Sequence, residues 1–297
     1  MFSGFSNSVR GASHDAKGIV CQDSSAHYAC ADYAVAVVAD GHGSKKHFRS
    51  NIGSKLAVES ALKTIAKYYE NVEEFEKNFP VNHDMIIRHI QKQVILRWNI
   101  AVKEHFRNNP VTADEKKEFT QEEFAKIPVE SYYGTTLIVV VACKGFSFGF
   151  QVGDGSLVGV FDDGSTEILI DYEESNPANI TSSICNANAS KMFDSFYIEN
   201  KQALALYVST DGLYTSFGSD DDFLAYHTII TSQLAEGDDF ETAVMKNITK
   251  RTHYGTQDDI SLSCVFNREL IIPKIELIKQ KIEENKQKHA DKKAKLK

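Results

Sequence analysis

Five aspartates stand beside small or turn-forming residues at the ends of expected strands, four of them where an apolar run begins or ends. They are Asp23 in C-Q-D-S, Asp40 in V-A-D-G-H-G, Asp154 in V-G-D-G-S, Asp211 in S-T-D-G-L and Asp258 in T-Q-D-D-I-S. A carboxylate at a strand end points into the space beyond the sheet. Several of them converging there repel one another unless cations neutralise the charge. An all-oxygen donor set suits Mg²⁺ or Mn²⁺ rather than zinc. The pattern predicts a multinuclear hard-metal centre, and such centres handle phosphate. A lone Asp-Gly pair is far more often a turn; the signal lies in the recurrence.

The elements that must carry these residues are legible from periodicity. Tyr28 to Ala39 reads as one strand stopped by Asp40-Gly41. Ser44 reads as the N-cap of a helix bearing Ile52, Leu56, Val58, Ala61, Leu62 and Ile65 at helical spacing. Residues 70–132 are mostly helical, with an amphipathic stripe at Ile86, Ile90, Val94, Trp98 and Val102; Trp98 is a core residue on this reading. Residues 111–130 read as a charged, mobile loop with a short helix. Gly134-Thr135-Thr136 suits a strand entry. The runs Thr136–Ala142, Phe146–Val152, Leu157–Phe161 and Thr166–Ile170 read as an antiparallel meander, with a hairpin turn at Asp162-Asp163-Gly164. Residues 171–203 are irregular and Asn/Ser-rich. Leu204–Thr210 is a strand, helices follow at Asp222–Leu234 and Phe240–Arg251, and Ile260–Phe266 is the last strand. Beyond Pro273, Lys274–Lys297 holds nine Lys and four acidic residues. It reads as a solvated helix docked by Ile275, Leu277, Ile278 and Ile282. The expected organisation is one catalytic domain over 1–272, with 70–132 as a helical insertion, and a Lys-rich helix over 273–297.

Bulk properties narrow the class. With 297 residues and 42% hydrophobic content the chain can bury a large core. A net charge of −8 argues against general nucleic-acid binding, which needs a basic footprint. The longest apolar runs, Ala34–Ala39 and Leu137–Cys143, fall well short of the roughly 20 residues that cross a bilayer. The N-terminal ten residues lack the apolar core of a signal peptide. Five widely spaced cysteines form neither a disulfide framework nor a zinc signature. The histidines at 83, 89, 105, 227, 253 and 289 show no metal spacing and read as surface or loop residues. No nucleic acid, no membrane and a cytoplasmic location are expected.

The ordered series Q-D, D-G-H-G, G-T-T, V-G-D-G, S-T-D-G and D-D-I-S, over about residues 10–267, resembles the metal-dependent (type 2C, PPM) serine/threonine protein phosphatases. The opening G-A-S-H-D-A-K-G-I-V-C-Q-D resembles their bacterial branch. The resemblance implies an α+β fold, an α-β-β-α sandwich of two mainly antiparallel sheets flanked by helices, with metals in a cleft at one end. By matching motifs, Asp40 would bridge two Mg²⁺ or Mn²⁺ ions and the Gly41 carbonyl would bind one of them. Asp211 and Asp258 would complete the first ion's set. Asp23 would support the second, partly through water. Asp154 would bind a weaker third ion that Asp211 shares. Water activated by the binuclear centre would attack the phosphomonoester in line, without a covalent enzyme intermediate. His42 matches the general acid that protonates the departing oxygen, a role suited to imidazole. Its alternative is to cap the following helix or bond a metal-bound water.

Departures from the family pattern are equally specific. Gln22 stands where Glu is common, and Gln lacks the charge to support the second ion. No Arg precedes Asp23 to grip phosphate. Lys17 and His14 are the nearest candidates, with Arg10 further away, and a Lys lacks the bidentate fork. Gly153-Asp154-Gly155-Ser156 lacks an Arg as well. Asp259 reads as a backbone hydrogen-bonder rather than a ligand. The expected function is hydrolysis of phosphoserine or phosphothreonine on proteins, with a Ser/Thr kinase or its targets as partners. The alternatives are a catalytically silent phosphoprotein-binding or scaffold module, and a small-molecule phosphatase.

Overall fold

The computed structural model describes residues 1–170, 182–237 and 240–295, and of residues 292–295 the backbone alone. The expected irregular stretch 171–203 lies outside the described residues from 171 to 181, as does the end of the Lys-rich tail from 296. The strands are β1 (Phe2–Val9), β2 (Ser24–Ala29), β3 (Tyr33–Ala39), β4 (Leu137–Cys143), β5 (Ser147–Val152), β6 (Ser156–Phe161), β7 (Thr166–Ile168), β8 (Asp194–Ile198), β9 (Ala203–Ser209) and β10 (Ile260–Asn267). The helices are α1 (Ala12–Lys17), α2 (Ser50–Tyr68), α3 (Val72–Asn108), α4 (Ala113–Lys116), α5 (Gln121–Lys126), α6 (Val129–Tyr132), α7 (Asp211–Tyr214), α8 (Asp220–Leu234), α9 (Phe240–Tyr254), α10 (Arg268–Ile271) and α11 (Ile275–Lys295).

Two antiparallel sheets form the centre, ordered β1-β10-β9-β6-β7 and β2-β3-β4-β5-β8. Alternate residues of β3 explain why its sequence is apolar throughout. Val35, Val37 and Ala39 face the layer of α2 and α3, while Ala34, Ala36 and Val38 face Leu206, Val208 and Val265 of the other sheet. A strand covered on both faces loses its polar alternation. The outer face of the β1-β10-β9-β6-β7 sheet, with Phe5, Tyr207 and Leu262, packs on Phe223 and Ile230 of α8 and Val244 and Ile248 of α9. The result is an α-β-β-α sandwich. Trp98 is fully buried, and its Nε1 donates to the Gly53 carbonyl at 3.0 Å, tying α3 to α2. Among the described residues, no helix is long and apolar enough to cross a membrane.

Several expectations need correction. Tyr28–Ala39 is two strands, β2 and β3, joined by a turn in which Cys30 N donates to the Tyr33 carbonyl at 3.0 Å. β1, over Phe2–Val9, was not among the expected strands; Phe2 and Phe5 are its buried side chains. The meander splits, because β5 and β6 belong to different sheets and the chain crosses between them at Gly153, whose φ is +114°. Only glycine adopts that angle without strain. Ser44 precedes a 3-10 turn over Lys45–His47, and α2 starts later, at Ser50. Residues 111–130 hold α4, α5 and the start of α6, with capping boxes built on Thr112 and Thr120. His227 is fully buried against Tyr207 and Phe223 rather than at the surface.

Candidate active site

Strand register brings the aspartates to one end of the sandwich. Ser24 pairs with Ala39 and Leu137 with Val152, so Asp23, Asp40, Thr136 and Asp154 share one edge of their sheet. Ser156 pairs with Ser209 and Leu262 with Ser209, so Asp211 and Asp258 leave the other sheet at the same end. The two sheets are stitched there. Thr210 Oγ1 donates to Asp23 Oδ2 at 2.8 Å and accepts from Ser261 N at 2.9 Å.

Asp40 is held by its backbone from the G-T-T segment. Its N–H donates to Thr136 Oγ1 at 2.9 Å, and its carbonyl accepts from Thr135 Oγ1 at 2.7 Å and Thr136 N at 2.8 Å. The side chain is thereby left free to face the other carboxylates. Burial pushes the Asp40 carboxyl well above the ordinary range, and the charges of Asp23 and Asp211 push the same way. Burial does the same to Asp23, reinforced by Asp259 and Asp211 and opposed by the Thr210 hydroxyl. Asp211 is pushed up to about 6 by burial, then by Asp154 and Asp258, while a hydrogen bond with Asp40 opposes the shift. No lysine or arginine ranks among the main influences on these three groups. The end of the sandwich thus gathers buried and half-buried carboxyl groups, and burial and mutual repulsion raise three of them. Among the described residues, no three of them already converge as a closed ligand cage. A hard cation such as Mg²⁺ keeps several waters and takes only one or two carboxylates, so an open set of this kind fits it.

The flanking residues divide into holders and bystanders. Asp259 is almost fully buried and accepts from Gly11 N and Gln22 N, both at 2.6 Å. It binds backbone and orients the strand entry. His14 Nδ1 lies 2.9 Å from Asp259 and its Nε2 lies 4.0 Å from Asp258. Lys17 is exposed on the last turn of α1, and Arg10 pairs with Asp15. Gln22 turns its amide to Ser50 Oγ at 2.8 Å, away from the role a carboxylate would have there.

His42 faces a different way. Its ring lies 4.9 Å from that of His47, and its Nε2 is buried without a hydrogen-bond partner among the described residues. Burial, then the charges of His47 and Lys46, push it down to about 4, so it is neutral at pH 7. Gly134 packs against both rings; a Cβ there would come within 2.4 Å of His47. His42 lines a cleft of about 890 Å³, whose walls are the 43–47 turn, α3, residues 128–131 and residues 183–190. Residues 44–49 are anchored by Arg49, whose guanidinium bonds Glu115 at 2.7 and 3.0 Å, the carbonyls of Asn109 and Pro110, and Tyr133 Oη. Sequence reasoning missed Thr210, Lys46, His47 and Arg49. The Thr of S-T-D-G was the available clue, because its hydroxyl precedes a strand-end carboxylate.

The family model described as Protein phosphatase 2C matches residues 10–248. Among solved structures, the chain is similar to PppA of Pseudomonas aeruginosa, described as a key regulatory component of T6SS. The identity is 17% and the TM-score 0.54, covering 89% of this chain and 97% of that one. It is similar to the serine/threonine phosphatase Stp1 from Staphylococcus aureus at 14% identity and TM-score 0.53, covering 90% and 95%. The catalytic domain of the serine threonine protein phosphatase PstP, in complex with two manganese ions, gives 13% identity and TM-score 0.51, covering 89% and 97%. No curated protein matches the chain significantly. The structural likenesses support the fold described above.

Proposed function

The chain belongs to the protein phosphatase 2C family, and we propose that it is an active, metal-dependent phosphatase of phosphoserine and phosphothreonine in proteins. The observation that carries this reading is the set of buried carboxyls at one end of the sandwich, whose pKa values burial and mutual repulsion raise. Such an arrangement is costly unless divalent cations bind it.

Asp40 is assigned as the carboxylate shared by two Mg²⁺ or Mn²⁺ ions, with the Gly41 carbonyl beside it. Asp211 and Asp258 would hold the first ion, Asp23 would support the second, and Asp154 with Asp211 would hold a weaker third. Bound cations would lower the pKa of water and offset charge on the phosphoryl oxygens. The protein's own residues do the rest. Thr135 and Thr136 fix Asp40, Thr210 orients Asp23, and Asp259 holds the Gln22 backbone beside it. His42 carries one N–H as a neutral imidazole. Its proposed task is to hydrogen-bond the departing seryl or threonyl oxygen. Lys17 and His14 remain the sequence candidates for phosphate; His14, near Asp258 and Asp259, is the better placed of the two.

The cleft of about 890 Å³ lies within the size range of small-molecule sites, so assay and not volume decides the substrate class. The test is a panel of phosphopeptides, nucleotides and sugar phosphates with Mn²⁺. Preference for phosphopeptides, lost in a folded Asp211→Asn variant, supports the reading. Preference for the small esters would identify a small-molecule phosphatase, and wild-type turnover by the variant would remove Asp211 from the site. His42→Ala should cost about 100-fold on phosphopeptides and much less on p-nitrophenyl phosphate, whose leaving group needs no proton.

A further inference from the structure

The cleft beside His42 has a charge pattern that the metal-binding role does not use. None of the five aspartates lines it. Its polar wall includes Asn99, Ser131 and Asn186, and its charged groups are Lys46, Lys103 and Glu130, with His42 and His47 at one end. Lys103 lies 3.5 Å from Glu130, so part of its charge is spent there. Lys45 turns the other way, to Glu123 at 3.9 Å and over the Phe119 ring. Lys46 is exposed and makes no ion pair among the described residues. It lines the cleft together with His42 and Cys185. In a chain of net charge −8, this is an uncommitted cation a few residues from the catalytic turn.

We propose that this cleft is a substrate subsite for an anionic side chain, phosphate or carboxylate, a few residues from the phosphoryl group under attack, with Lys46 as its main contact. The proposal rests on the phosphatase reading. A lysine ammonium recognises an anion as a point charge, without the geometric demand of a guanidinium fork. Both phosphorylated and acidic neighbours would therefore be accepted, and the dianion should bind more tightly. Lys103 adds to the field and Glu130 limits it, so the preference should be moderate and salt-sensitive.

The test is binding of labelled peptides to the Mn²⁺-loaded full chain, followed by fluorescence anisotropy. The target position carries a hydrolysis-resistant phosphonate analogue of phosphoserine. One neighbour at a time, from four residues before to four after, is alanine, glutamate, lysine or a second phosphonate. The expected result is about tenfold tighter binding with the second phosphonate at one or two positions, less with glutamate, shrinking at high salt. Lys46→Glu should abolish that order and favour lysine at the same positions; Lys103→Ala should weaken it. Both side chains are exposed, so folding is not at stake. Less than twofold discrimination at every position, or an unchanged order in Lys46→Glu, overturns the subsite. Hydrolysis of p-nitrophenyl phosphate by the wild type, with and without Mn²⁺, tests the phosphatase reading separately. If that persists while peptides are not discriminated, only the subsite falls.

Discussion

Asp40 concentrates the chemistry of the site in one residue. Its backbone is fully engaged by Thr135 and Thr136, and its carboxyl is destabilised by burial and by Asp23 and Asp211. Removing its charge should therefore stabilise the metal-free protein. We expect Asp40→Asn to raise the melting temperature without metal by a few degrees, and to abolish the upward shift that Mn²⁺ gives the wild type. Differential scanning fluorimetry with and without chelator reads both. A variant that melts lower and still responds to Mn²⁺ would contradict the assignment. The five aspartates were legible because each stands beside a small or turn-forming residue and four of them begin or end an apolar run. Arg49 was not, because a charged residue at a helix start reads as solvated, and only the fold reveals its five hydrogen-bond contacts. His227 was missed for the same reason, since a lone histidine carries no sign of burial.

At the scale of elements, the segment 109–130 matters most. Residues 111–130 were read as a charged, mobile loop with a short helix, yet Arg49 links Glu115 and the carbonyls of Asn109 and Pro110 to the 42–49 turn. Phe48 also packs with Phe119, Phe124 and Tyr132. Breaking a buried ion pair by removing one partner leaves the other uncompensated. Glu115 keeps some exposure, which moderates the cost. Arg49→Ala should lose about 2–4 kcal/mol in denaturant unfolding, and proteolysis within 109–130 should accelerate more than global unfolding does. Unchanged cleavage there would mean that the aromatic cluster alone holds the segment. The sequence shows α2, α3, α8 and α9 by their apolar stripes. The divergence of β5 and β6 into separate sheets is invisible to it, because alternation specifies faces and not partners.

Across the whole molecule, burial of titratable groups sets the acid limit of the fold. His227, in the layer between β9 and α8, is pushed down to about 4 by burial, then by Arg251, against a hydrogen bond to the Phe223 carbonyl. The unfolded chain, with its histidine near 6.5, takes up this proton first. The contribution of His227 to stability is therefore complete above about pH 6.5 and is lost as pH falls towards 4, by up to about 3 kcal/mol. His227→Leu should flatten that slope relative to wild type in urea titrations between pH 4 and 7. Identical slopes would show that the burial is relieved before unfolding. The same global packing brings strand ends from both sheets to one end, which is why aspartates scattered from position 23 to 258 come to the same end of the sandwich.

The central claim is that this site hydrolyses phosphoprotein esters with divalent cations. The most direct measurement is phosphate release from a phosphothreonine peptide by purified protein with Mn²⁺, with Mg²⁺ and with chelator, beside Asp40→Asn. The account predicts release with metal, none with chelator and none from the variant. Folded wild-type protein that releases no phosphate under any metal would contradict it, as would equal turnover by Asp40→Asn.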